Sequence, residues 1–543
     1  IQAAARTAGG RGAVEVRDLV EQVGHEQFDL VIMNPPFTRH GAREGDRTEV
    51  HNPAFAAFGA TEEEQNMLSS HLQRLGRDGN AHGHAGLASY FVDLAHRKLA
   101  PSGTLALVLP LTALSGQSWD KIRTLWRRDY SSIIVVTIAG EGSFARSFSA
   151  DTGMAECLVV AKKARPSGRE RRAIFVVLNN QPQDTLQGEQ IAQEVSRAIA
   201  LGNIRQLEDG PLGGTRILIG NTLQGEALSC PVPVSGAWQM VGIKDITLAQ
   251  SAYQMTHGRF WVEGMSARDS IEIPIASIGD VSTRIGPHHL DISGAQVKGD
   301  GLPQGPFEVI SGLPNGAAYP CLWNHRTADE RKLVVVPDSH CRIRDIGGLI
   351  PDDLQDRAQA RWETAARLHY NLDLQFNSQS LVASMTERPS IGGRAWPTII
   401  LADDVHEYAF SLWANSTLGL LCRWWMSNKT QAGRGTSTVT SIPGFSTLDV
   451  RLLSDAQHRA ARDAFEEIAD ERLLPFDQIN EDPVRAELDR RLLVDVLGLS
   501  PQLCALGGPM ERLRTKLAAE PQIHSDKRTR VVFTDEGETT APH

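Results

Sequence analysis

Cysteine is scarce: six in 543 residues, at 157, 230, 321, 341, 422 and 504, with no CxxC pair among them. This spacing excludes a cysteine-built zinc site and a disulfide framework, and it predicts a metal-free protein of a reducing, cytoplasmic compartment. Long apolar runs are missing as well. No window approaches the roughly 20 apolar residues that a membrane-spanning helix needs, so no membrane partner is expected. A P-loop is absent, which excludes a helicase motor, and no set of spaced acidic residues with a lysine marks a nuclease. Positive charge is not in excess either: 55 Lys and Arg against 65 Asp and Glu give a net charge of −10. Since phosphate binding usually leaves a basic footprint, any contact with a polyanion has to be confined to local basic patches. What remains is 41% hydrophobic and 22% charged, a globular composition, and the length calls for several domains.

The most informative feature that is present is a turn. An apolar strand, Phe28-Asp29-Leu30-Val31-Ile32-Met33, runs into Asn34-Pro35-Pro36-Phe37, at the place where an open α/β sheet puts its active site. Two consecutive prolines fix φ and remove two backbone donors, so the carbonyls of Asn34 and Pro35 are not drawn into a ladder and can face a pocket. With the Asn34 amide oxygen and the Phe37 ring, the turn offers hydrogen-bond acceptors beside a stacking surface. That combination suits an exocyclic amine on a planar base. Two acceptors on its protons favour pyramidalisation of a nitrogen whose lone pair is otherwise delocalised into the ring. A base inside a duplex reaches such a pocket only by flipping out, at roughly a few kcal/mol that stacking on Phe37 partly offsets.

On these residues the chain resembles the amino-group DNA methyltransferases, whose Asn/Asp-Pro-Pro-Tyr/Phe turn is the signature of adenine-N6 methylation. The resemblance implies catalytic roles for Asn34, Pro35, Pro36 and Phe37, S-adenosylmethionine as cofactor, double-stranded DNA as substrate and a Rossmann-like α/β sheet. Further segments follow in the family's order. Residues 86–100 read as a helix with Leu87, Tyr90, Phe91, Leu94 and Leu99 on its apolar side, and 104–110 as a strand. A helix near 118–129 and strands at 133–138 and 156–162 would supply the antiparallel final pair of the methyltransferase sheet. Phe144 and Phe148 lie in the connecting loop, where the family often carries an aromatic that helps hold the flipped base; core or lid packing is the alternative for both.

Parts of the family pattern are missing. The chain begins with Ile1, and only residues 13–16 fit a strand before the catalytic one. A complete enzyme of this class needs two earlier strands, a Gly-rich turn for the methionine part of the cofactor and an acidic residue for its ribose. Gly9-Gly10-Arg11-Gly12 precedes its strand rather than following one, and reads as a connecting loop. The chain is therefore expected to be a fragment, inactive alone, with Asp18 the one residue left to contact the cofactor's adenine unless it is simply an exposed loop residue.

Beyond residue 163 a basic loop is followed by a strand at 173–178 and a polar helix at 189–200, then by short strands between Gly/Pro turns over 231–351. Residues 352–371 read as helix, 396–401 as strand, and 405–426 as one long helix with Trp413, Leu420 and Trp424 along a core-facing side. The basic candidates for DNA are Arg39 and Arg43 beyond the turn, a helix with Lys121, Arg123, Arg127 and Arg128, and the Gly/Ser/Thr-rich segment from Lys429 to Arg434. The region 415–443 resembles the target-recognition region of methyltransferases fused into restriction-modification and phage-defence systems, which implies phosphate contacts from Lys429 and Arg434 and other restriction or defence subunits as partners. A flexible surface loop is the alternative. The expected layout is a partial catalytic domain over 1–205, a mixed α+β target-recognition region over 206–450, C-terminal helices over 451–522 and a disordered tail over 523–543. Two other functions share the turn: methylation of RNA or of a protein glutamine amide, and a non-catalytic DNA-recognition subunit keeping a remnant fold.

Overall fold

The apolar run before the turn does form a strand, β1 (Phe28–Met33), paired in parallel with β2 (Leu99–Pro110), Val31 opposite Leu105 and Met33 opposite Leu107. The structure, a computed structural model, describes residues 24–37, 61–140, 146–149, 154–165, 171–201, 210–234, 237–240, 242–297, 299, 301–312, 317–429, 433–524, 529–534 and 537–542. The strand expected at 13–16 lies outside them. The chain divides into two compact units between Lys244 and Asp245, with Gly210 and Pro211 belonging to the second.

In the first unit β3 (Tyr130–Ile138), β4 (Glu156–Lys163), β5 (Arg172–Leu178), β6 (Thr215–Ile219) and β7 (Thr222–Pro231) complete a mixed sheet. Among the described residues its order is β1-β2-β4-β3-β5-β7-β6. The expected pair β3 and β4 is antiparallel, and β4 sits between β2 and β3, antiparallel to both. Its side chains alternate, with Cys157, Val159 and Ala161 buried on one face.

The helices are α1 (Glu62–Asp78), α2 (Leu87–Lys98), α3 (Asp120–Asp129) and α4 (Thr185–Ala200). Thr61 and Glu64 start α1 with a reciprocal capping box, Thr61 N to Glu64 Oε2 at 2.9 Å and Glu64 N to Thr61 Oγ1 at 3.3 Å. Of the apolar side expected for α2, Leu87 is buried, but the stripe continues through Ala88, Val92 and Ala95, and Leu94 is 47% exposed. Small side chains let the helix lie close to its neighbours, leaving Tyr90 and Phe91 at the margins. Leu99 opens β2 instead of closing the helix.

The boundary expected at 205 is displaced. The β6–β7 hairpin adds to the sheet by antiparallel pairing of β7 with β5, Val176 opposite Ala227, and so supplies ladder partners to a strand edge that would otherwise be open.

The second unit holds β8 (Phe307–Ser311), β9 (Tyr319–Leu322), β10 (Ser339–Ile343), β11 (Ala366–Tyr370) and β12 (Ala383–Gly392) in the order β8-β10-β9-β12-β11. Its main helices are α5 (Ile246–Thr256), α6 (Asp352–Trp362), α7 (His406–Asn415), α8 (Thr417–Met426), α9 (Asp455–Ile468), α10 (Pro483–Arg490) and α11 (Pro509–Ala518). Helix α5, capped by Asp245 through the Thr247 and Leu248 amides, interrupts the stretch expected to be β-rich. Helix α6 stops at Trp362, and the expected continuation to 371 is strand β11, whose Leu368 and Tyr370 face the core.

The single helix expected over 405–426 is broken at Ser416. Its backbone is extended (ψ 164°), and its hydroxyl accepts from the Gly419 amide at 3.1 Å to cap α8. Gly419 is obligatory there, because a Cβ would lie 1.9 Å from the Trp413 carbonyl oxygen. Trp413, Leu420 and Trp424 are core residues. The strand expected at 396–401 shrinks to Ile399–Leu401. The expected border at 450 disappears, since α7 packs on α9 with the Tyr408 and Phe465 rings edge-to-face at 5.3 Å. In the tail, where composition predicts disorder, the backbones of Thr529–Thr534 and Gly537–Pro542 pair as antiparallel strands. No helix among the described residues is long and apolar enough to cross a membrane.

Candidate active site

Strand directions bring the turn and a second loop to one rim. β1 and β2 run in parallel and β4 runs against β2 and β3, so Pro110 lies opposite Glu156 and Thr137 opposite Cys157. The carboxyl ends of β1, β2 and β3 therefore meet the amino end of β4. There Asn34 and Pro36 are exposed, Pro35 is buried and Phe37 is half-buried. Asn34 Nδ2 faces Ser149 Oγ at 3.5 Å. The Ser149 loop is tied down in turn: Glu156 Oε2 accepts from the amides of Phe148 at 2.7 Å and Ser149 at 2.8 Å. Ser147 Oγ donates to the Ser149 carbonyl at 2.7 Å, and Gln181 Nε2 to the Phe148 carbonyl at 3.0 Å. An exposed carboxamide beside two prolines and a ring can accept hydrogen bonds from an amine on a flat ligand.

Solved structures align with the chain only distantly. The type IIG restriction endonuclease BpuSI is 12% identical over 93% of this chain, with a TM-score of 0.33. The type IIL restriction-modification enzyme MmeI, solved in complex with DNA, is 12% identical over 91% with a TM-score of 0.36, and a type I restriction-modification assembly is 14% identical over 38% with a TM-score of 0.22. The chain spans 54% of the length of BpuSI and 57% of that of MmeI. These scores are too low for superimposable folds, and the functional reading rests on the chain's own residues. No protein-family model and no curated protein matches the chain.

Ser149, Glu156 and Gln181 stand around this rim and were not picked out from the sequence. An acid opening the otherwise apolar strand Glu156-Cys-Leu-Val-Val-Ala161 was a signal for one of them; the other two reach the rim through tertiary contacts that no local pattern announces. Phe148, assigned to hold a base, packs against the core cluster that includes Ile138, Val176 and Leu178, which is the packing alternative. Asp18, Arg39, Arg43 and Phe144 lie outside the described residues. Among the described residues no group of three His, Cys, Asp or Glu could hold a metal ion.

The basic helix α3 does not present one cationic face. Arg123 is buried and donates to the Ala113 and Gly116 carbonyls at 3.1 and 2.8 Å, its pKa lowered by desolvation to about 10. Arg128 pairs with Asp129, and Lys121 binds the Gly76 and Gly79 carbonyls.

In the second unit Lys429 and Arg434 part company. Lys429 is 6% exposed: Nζ donates to the Trp425 carbonyl at 2.7 Å and lies over the Trp424 and Trp425 rings at 5.3 and 5.9 Å. The expected phosphate contact from Lys429 is thus corrected, because its ammonium is enclosed by its own helix end. Arg434 remains partly exposed, with Nε 2.6 Å from Asp373 Oδ1.

Burial lowers the Lys429 pKa to about 7. The unfolded ammonium titrates near about 10.4, so between the two values the unfolded chain binds the extra proton and stability rises with pH. Wild-type stability relative to Lys429→Met is therefore expected to increase from about pH 7 to about pH 10. Thermal melting of both proteins across that range checks it, and a pH-independent difference would contradict it.

Proposed function

We propose that this chain is the methyl-transfer and DNA-recognition part of an adenine-N6 DNA methyltransferase of the restriction-modification or phage-defence kind. The observation that carries the reading is the Asn34-Pro35-Pro36-Phe37 turn at the carboxyl rim of a mixed α/β sheet, with the Asn34 carboxamide exposed and its nitrogen end turned to Ser149. S-adenosylmethionine supplies the methyl group when bound. The chain's own part is to receive a flipped adenine: Asn34 Oδ1 and the Pro35 carbonyl accept from the two N6 protons, and Phe37 stacks on the ring. Arg39, Arg43 and Arg434 are the candidate phosphate contacts, and Arg434 would exchange Asp373 for a phosphate oxygen.

The test is methyl transfer from radiolabelled S-adenosylmethionine to unmethylated genomic DNA by the protein expressed from its full coding sequence, followed by nucleoside analysis. Label on adenine N6 is the expected result. Label on cytosine, RNA or a protein glutamine overturns the assignment, and DNA binding without any label makes the protein a recognition subunit instead.

A further inference from the structure

We propose that Glu156 is a positioning residue for this site, acting through Ser149, and that Ser149 holds the Asn34 side chain in place at the rim. The inference rests on the methyl-transfer reading above.

Glu156 opens β4 and is 1% exposed. A carboxylate taken so far out of water is destabilising unless hydrogen bonds satisfy it. Its Oε2 accepts from two consecutive backbone amides, those of Phe148 and Ser149, while Oε1 has no hydrogen-bond partner among the described residues. The desolvation cost is therefore set against holding one pair of peptide groups. Packing alone would be served by an apolar side chain, as at Leu158 and Val160 on the same face of the strand. Gln181 holds the Phe148 carbonyl and Ser147 the Ser149 carbonyl, so residues 147–149 are tied by further bonds.

The consequence falls on Asn34. A carboxamide has a donor end and an acceptor end, and which one faces the ligand depends on what holds the other. Ser149 Oγ accepts from Asn34 Nδ2, which leaves the acceptor Oδ1 for an incoming amine. The 3.5 Å separation is long, as catalytic hydrogen bonds often are without ligand, and is expected to tighten when a base is bound. Glu156 works by fixing Ser149.

Steady-state methyl transfer to unmethylated genomic DNA by the full protein tests this, with melting temperatures measured alongside. Glu156→Ala should lower kcat by about 10- to 100-fold and Ser149→Ala by about 10-fold, with KM for DNA little changed. Glu156→Gln keeps a carbonyl oxygen able to accept both amides and should recover most of the rate. In the Ser149→Ala background, Glu156→Ala should cost far less than in the wild type, a coupling that general destabilisation does not produce. Equal losses in both backgrounds, or a Glu156→Ala enzyme with a lowered melting temperature and normal kcat, would overturn the proposal. Should Glu156→Ala fail to fold, a wild-type kcat in Ser149→Ala, which removes only a half-exposed hydroxyl, overturns it equally. A wild-type protein that transfers no label counts against the methyl-transfer reading instead.

Discussion

Asn34→Ala is expected to slow methyl transfer by about two to three orders of magnitude, with cofactor affinity nearly unchanged. The substitution removes one of the two acceptors for the target amine and leaves the Pro35-Pro36 turn and the Phe37 ring in place. The lost hydrogen bond matters most as the nitrogen pyramidalises, so the loss should appear in kcat rather than in KM. Asn34 is exposed and ends a strand, so the melting temperature should hold. Phe37→Ala should behave differently. It removes stacking worth roughly 1 to 3 kcal/mol per base and should weaken capture of the flipped adenine more than the chemical step. Radiolabelled transfer measured against DNA concentration separates the two effects. Normal turnover by the Asn34→Ala enzyme would require the turn to be withdrawn as the catalytic centre.

The strand and the turn after it were legible in the sequence because both signals are local: a continuous apolar run from Leu30 to Met33 and a proline pair that forbids its continuation. The same holds for the strands at 104–110, 133–138 and 156–162, each found within a few residues. What escaped depends on distant partners. The division of 405–426 turns on Ser416, whose helix-capping bond to Gly419 is outvoted in any periodicity count by the apolar residues on either side. The β6–β7 hairpin joins the first unit because β5 has an edge to fill, which no composition shift at 205 could reveal. Lys429 looked like a surface cation because it sits beside a Gly/Ser/Thr-rich stretch; only the fold shows the Trp424 and Trp425 rings and the Trp425 carbonyl around it. At the proposed site, the Asn34-Pro35-Pro36-Phe37 turn is contiguous and readable, whereas its contact with Ser149 joins residues 115 apart.

Asp489→Ala is expected to destabilise the second unit by about 3 to 5 kcal/mol, the usual cost of removing one partner from a buried charge network. Asp489 is fully buried on α10 and accepts from the Thr417 amide at 2.8 Å, the Thr417 hydroxyl at 2.5 Å and Arg514 at 2.8 Å. Burial pushes its carboxyl up, opposed by Arg514 and Thr417. Arg485, equally buried, stands one turn away, bound to the Asn415 and Ser380 carbonyls and paired with Asp482. Removing the Asp489 charge leaves Arg514 and the first amide of α8 without their acceptor. Because Thr417 begins α8, the carboxylate also meets the positive end of that helix. Asp489→Asn keeps an acceptor for Thr417 but not the charge, and should lose less. Urea unfolding should show a lower midpoint at unchanged slope. The damage should also reach the basic segment, because α8 carries Arg423, whose guanidinium holds the Leu372 and Gly435 carbonyls at 3.0 Å beside Arg434. Weaker DNA binding at temperatures well below the new melting point would show that this network sets the Arg434 loop, while a loss under about 1 kcal/mol would place Asp489 among ordinary surface-like substitutions and contradict its role as the anchor of α8.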